Sequence, residues 1–128
     1  MADASYPDDL LYHAEHDWAR IDGEQATFGI TWYAQDSLGE VVFFDPPAVG
    51  TKVTKDESYT EVESVKAVSD VIAPLSGEVV EVNAALGGSP ETINEDPYGD
   101  GWLVKVKLSD PSETETLLSA ADYQKELA

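Results

Sequence analysis

Lys66 sits in the stretch ESVKAVSD (63–70), between Val65 and Ala67, in a chain whose lysines and arginines number 7 against 26 aspartates and glutamates. A primary amine displayed among short apolar residues suits acylation by a modifying enzyme. Unaided it is a poor nucleophile: an ordinary lysine has a pKa of about 10.4, and Glu61, Glu63 and Asp70 favour its charged form. From these residues alone two readings stay open, a solvated turn lysine or a modification site. Other constellations are thinner. His13 and His16 lie three apart without a third ligand of clear spacing, so no metal site is expected. Ser64 and Ser69 fall outside a G-x-S-x-G context, which counts against a small hydrolase. YGDGW (98–102) lacks the third glycine of a dinucleotide fingerprint, and DPYGDG fails as a calcium loop because Tyr98 and Lys107 fall at its third and twelfth positions.

Composition narrows the field further. With 128 residues the chain has the size of one domain, 1–128, with room for a core. It is 42% hydrophobic and spaces Trp18, Trp32 and Trp102 along its length as core or rim aromatics, so it should fold despite a formal charge of -19. That charge repels phosphate backbones and anionic lipids, so neither nucleic acid nor membrane is an expected partner. With no cysteine, disulfides, thiolate metal sites and cysteine nucleophiles are excluded. No apolar stretch approaches the roughly 20 residues of a membrane span. The start MADASYPDDL has neither the basic nor the apolar region of a signal peptide, and its acidity is unlike a mitochondrial presequence. A cytoplasmic location is the expectation.

The elements that position Lys66 are mostly strands. WARIDGEQATFGI (18–30) reads as a hairpin turning on Asp22-Gly23 in type I′ geometry. TWYAQDSLG (31–39) reads as a short helix with Thr31 as N-cap and Gly39 beyond its end, and VVFF (41–44) as a strand halted by DPP. Further strands are expected near 51–54, 59–65, 67–72 and 78–83. In GWLVKVKL (101–108), Trp102, Val104, Val106 and Leu108 alternate with Leu103, Lys105 and Lys107. Helical signals follow: Asp110 as a cap with Pro111 next and Glu113 completing a capping box, then Ser119 with Asp122, after which Tyr123 and Leu127 share a face. PAVGTKV (47–53) and PLSGEVV (74–80) share a P-x-x-G-x-x-V pattern, as if two half-motifs flanked Lys66 and displayed it at a hairpin tip. Many short strands between turns predict a mainly β sandwich or barrel.

VESVKAVSDVIAPLSGEVVEVN is similar to the lipoyl-attachment hairpin of the glycine cleavage H-protein family, with Gly50 sixteen residues before Lys66 and Gly77 eleven after. YHAEHDWAR (12–20), FGITWYAQDSLGEVVF (28–43) and INEDPYGDGWLVKVK (93–107) resemble other blocks of that family in the same order. The resemblance implies a flattened barrel or sandwich of the lipoyl/biotinyl-carrier type, with short helices including a C-terminal one. It implies a lipoyl group covalently on Lys66, with Glu63, Val65 and Ala67 shaping the attachment turn. It also implies a carrier rather than an enzyme. Such a carrier takes an aminomethyl group from glycine decarboxylase to the aminomethyltransferase and its reducing equivalents to dihydrolipoyl dehydrogenase, after a lipoyl ligase or transferase has loaded it. For the cleft that shelters the arm, the resemblance nominates Asp17, with Asp70 and Glu15 beside it. The usual triplet of that family is His-Glu-Trp, whereas this chain reads His16-Asp17-Trp18, one methylene shorter.

The alternatives differ at the tip. A biotin carrier flanks its lysine with methionines, and the single methionine here is Met1. Lipoyl domains of 2-oxo acid dehydrogenase acyltransferases usually read Asp-Lys-Ala within longer chains. An H-like relay that donates lipoyl groups to other complexes remains the runner-up.

Overall fold

The computed structural model describes residues 5–127. Among the described residues nine strands form two sheets. The larger has six strands in the order β1 (Leu11–His13), β2 (Asp17–Asp22), β3 (Gln25–Ile30), β9 (Val104–Leu108), β8 (Gly77–Val82), β5 (Lys52–Val53). The smaller has three, in the order β4 (Val41–Asp45), β6 (Ser58–Ser64), β7 (Val68–Ile72). All pairings are antiparallel. The sheets do not close into a barrel; their inner faces share a core that includes Phe28, Phe44, Val62, Leu75 and Val106. Alternation along β6 shows why: Thr60, Val62 and Ser64 are buried while Glu61 and Glu63 are exposed, the period of two that a half-buried strand requires.

Helix α1 (Trp32–Leu38) begins where Thr31 Oγ1 accepts the Ala34 N–H at 3.2 Å, and ends at Gly39, whose φ of 86° with ψ of -163° falls in a region that essentially only glycine adopts. A second apolar cluster, of Leu10, Tyr12, Trp18, Tyr98, Ala120 and Tyr123, joins the chain's ends. Here helix α3 (Ala120–Leu127) packs Tyr123 and Leu127 inward, its start marked by the Asp122 N–H donating to Ser119 Oγ at 3.2 Å. Trp18 is fully buried, and Trp32 and Trp102 are half-buried at the edge of this cluster.

Several local expectations are corrected. The first hairpin pairs Asp22 with Gln25, so Gly23-Glu24 forms the turn, and only Gly23 has positive φ, at 63°. A positive φ at the first central residue alone is the mark of a II′ turn, not I′. The last strand starts at Val104 rather than at 101, and Leu103 is as buried as Val104, because its N–H donates across to Phe28 O at 2.9 Å before regular alternation begins. Glu113 completes no capping box: its carboxylate accepts from the Ser76 N–H (2.8 Å) and hydroxyl (2.9 Å), while Asp110 caps a 3-10 turn, Pro111–Thr116, through the Ser112 N–H. The two P-x-x-G-x-x-V segments are not matched halves about Lys66. They pair with each other, Val53 opposite Gly77, and their glycines differ in duty. Gly50 turns the chain with φ of 96°, whereas Gly77 lies so close to the Lys107 backbone that a Cβ would collide. Strand β1 and helix α2 (Thr92–Glu95) carry no period long enough to read from sequence.

Candidate functional site

Strands β6 and β7 pair from Ser58↔Ile72 to Glu63↔Val68 and turn through Ser64-Val65-Lys66-Ala67. The Ser64 N–H donates to Ala67 O at 2.8 Å, leaving Val65 and Lys66 as the two turn residues. Neither has positive φ, so the tip lacks the backbone that short hairpins prefer. Ser64 compensates. Its buried Oγ accepts the N–H of Lys66 at 3.2 Å and of Ala67 at 3.1 Å and donates to Ala67 O at 3.2 Å. The Val65 N–H donates to Glu40 O at 3.1 Å, which ties the tip to the segment after α1. Lys66 is exposed, and no ion pair reaches it among the described residues. Its stem lies along Gly39, where an added Cβ would sit 3.4 Å from Lys66 Cε.

Beside this tip a cleft of about 340 Å³ opens between β7 and α1. Ala67, Ser69 and Asp70 line one side, and Glu15, His16 and Asp17 another. Asp17 is 2% exposed, and its Oδ2 has no hydrogen-bond partner among the described residues. Burial, then the nearby Glu15 carboxylate, holds its carboxyl well above the usual aspartate range, so the charged form is disfavoured there. Glu15 and Asp70 are exposed.

The wall carrying Asp17 is anchored from afar. His16, in left-handed backbone at φ 73°, places Nδ1 2.8 Å from the Tyr123 hydroxyl, which also lies 2.8 Å from Thr31 Oγ1. One hydroxyl on α3 thus joins the cleft wall to the N-cap of α1. Burial lowers the pKa of His16, against an opposing pull from Glu15 and with a smaller lowering from His13. His13 Nδ1 accepts the Glu15 N–H at 3.0 Å, so Nε2 carries the hydrogen and donates to Asp56 Oδ1 at 2.6 Å. The two histidines therefore sit on a strand and a tight turn, each in its own hydrogen bond.

Lys66, Val65, Ala67 and Glu63 thus occupy one tip, and Asp17, Asp70 and Glu15 line the one cleft that starts at Ala67. The sequence weighs Ser64 only as a nucleophile, and Tyr123 only as sharing a helix face with Leu127. A serine three residues before a turn's end is a recognisable capping signal; the link from Tyr123 to His16, 107 residues apart, left none.

The glycine cleavage H-protein family model matches residues 10–128. The chain belongs to the glycine cleavage H-protein family. Among relatives of this H-protein, one from Symbiobacterium thermophilum named glycine cleavage system H protein is 53% identical over 120 residues, 94% of each chain. A probable glycine cleavage system H protein of Haloarcula marismortui is 51% identical over 121 residues, 94% of this chain and 95% of its own. The crystal structure of a glycine cleavage system H protein from Mycobacterium marinum superposes with a TM-score of 0.86 at 44% identity, covering 94% of this chain and 98% of that one. As an H-protein the chain is a lipoyl-bearing carrier of the glycine cleavage system, with the lipoyl group covalently on a lysine, and it works with enzymes of that system. No helix among the described residues is long and apolar enough to cross a membrane.

Proposed function

We propose that Lys66 is the lysine that carries the lipoyl group, and that the cleft beside it shelters the loaded end of the arm. The partners proposed are glycine decarboxylase, the aminomethyltransferase, dihydrolipoyl dehydrogenase and a lipoyl-attaching enzyme, in the cytoplasm, served by a single domain with no catalytic group of its own. When bound, the lipoyl group supplies a disulfide that accepts the aminomethyl unit and a dithiol that can be reoxidised.

The chain's residues do the rest. The Lys66 amine forms the amide and loses its charge, while Ser64 and Glu40 hold the turn still beneath it. A tethered cargo is presented to each docked enzyme at far higher local concentration than a free one. Asp17 supports the sheltering role, because it lines a cleft that begins one residue from Lys66 and its buried Oδ2 has no hydrogen-bond partner among the described residues. Burial favours the neutral carboxyl; a protonated amine in the cleft favours the carboxylate, and Asp17 gives up its proton to form a charge-assisted hydrogen bond. The exposed Glu15 and Asp70 draw that cation toward the mouth.

The observation carrying this proposal is the orphaned Asp17 Oδ2. Asp17→Asn tests it: lipoylation should be unchanged while the loaded arm releases ammonia and formaldehyde about tenfold faster, the scale of a lost hydrogen bond to a charged group. Equal lifetimes for the two proteins would remove Asp17 from the sheltering role.

A further inference from the structure

On the other side of Gly39 lies a second cleft, of about 610 Å³, which the carrier chemistry above does not use. Asp36, Glu40, Glu91 and Glu95 line it, all exposed, with Gln35 and Gly39 between them. Acidic side chains alone are unremarkable in so acidic a chain. Gln35 is the exception: it is 1% exposed, and its Nε2 has no hydrogen-bond partner among the described residues.

The orientation of that amide follows from its neighbours. The Val41 N–H donates to Asn94 Oδ1 at 2.8 Å, so Asn94 must turn its Nδ2 toward Gly39 O (2.8 Å) and Gln35 Oε1 (3.0 Å). Gln35 Oε1 is thereby spent on Asn94, and Nε2 is left as a dehydrated donor on the cleft wall, a costly arrangement unless an acceptor arrives. A ligand that satisfies the wall brings a carbonyl oxygen for Gln35 and positive charge for the carboxylates. A peptide segment bearing arginine or lysine has both.

Lys66 stands at the rim. Its stem lies along Gly39, and Glu40 O accepts the Val65 N–H, so the tip and this cleft share a wall. The unmodified ammonium repels a cation approaching the cleft; acylation removes that charge.

We infer that this second cleft docks a cationic peptide segment of an enzyme that works on the acylated carrier, and that neutralising Lys66 opens it to that segment. The gating half rests on Lys66 being the acylated residue. It is tested without any lipoyl group, so it stands or falls separately from the attachment site. The probe is acetyl-Arg-Gly-Arg-amide, titrated at low ionic strength into ¹⁵N-labelled full-length protein and followed by NMR. The Gln35 side-chain amide signals should move. The Glu91→Gln/Glu95→Gln pair should weaken binding by about fivefold or more, and Lys66→Gln should bind about fivefold more tightly than Lys66→Arg, the low end of couplings between protein sites. Putrescine, with the same two charges and no carbonyl, should bind less well and leave the Gln35 signals in place. Unmoved Gln35 signals overturn the site, and equal affinities for Lys66→Gln and Lys66→Arg overturn the gating. Putrescine matching the peptide overturns the peptide assignment in favour of a polyamine site.

Discussion

Two hairpins in this molecule turn on two residues each, by different means. Between β2 and β3, Gly23-Glu24 uses a positive φ at Gly23 that matches the twist of the strands, and nothing lies within 4 Å of where its Cβ would be. Between β6 and β7, Val65-Lys66 has no glycine and no positive φ, and the turn borrows hydrogen bonds from Ser64 and Glu40 instead. The first turn is built for local stability. The second gives that up to place a long amine at its apex, and departures from local preference of this kind are expected at functional positions.

The largest test of this contrast is Lys66→Ala. Carrier turnover in a reconstituted glycine cleavage assay should be lost completely, with a melting temperature close to that of the parent protein, because the Lys66 side chain is exposed and in no ion pair among the described residues. A marked drop in melting temperature would mean that the tip is structural after all. Ser64→Ala comes next. Two backbone N–H groups lose their acceptor, at a cost of about 1–3 kcal/mol, and amide exchange at Lys66 and Ala67 should accelerate along with slower lipoylation. Gly23→Ala has open space but a strained φ of 63°, costing about 1 kcal/mol in chemical denaturation, with lipoylation unaffected. If Gly23→Ala slowed lipoylation as much as Ser64→Ala, the division of labour between the turns would fail.

The last signal is one of slope rather than size. Asp17 has a folded-state pKa raised above its ordinary 3.8, so the native state keeps a proton that the unfolded chain gives up. Stability relative to Asp17→Asn is then undiminished below about pH 4, falls as the pH rises from 3.8 toward the raised value, and levels off above it. Denaturation curves of both proteins from acid to neutral pH read this directly; a gap independent of pH would show that the carboxyl is not held neutral.

The same contrast explains what was legible in sequence. Local signals carried far: Thr31 and Gly39 bounded α1, alternation marked β9, and the hairpin under Lys66 lay where its short flanking strands implied. Errors arose where a long-range partner outbid a local one. Glu113 has the spacing of a capping box but serves Ser76, 37 residues away. Gly50 and Gly77 share a motif, yet one turns the chain and the other admits a neighbouring strand. For the cleft, the types of Asp17, Asp70 and Glu15 were suggested by resemblance, but nothing local to 15–17 or 67–71 tells that α1 roofs the space between them. His16, Tyr123 and Thr31 meet only after the chain's last helix has folded back onto its first strands.

The most direct test of the central claim is peptide mass spectrometry of the protein isolated from its native host. The account predicts one lipoyl amide, on the peptide containing Lys66, with Lys52, Lys55, Lys105, Lys107 and Lys125 unmodified. A lipoyl group on any of those five, with Lys66 bare, would contradict it.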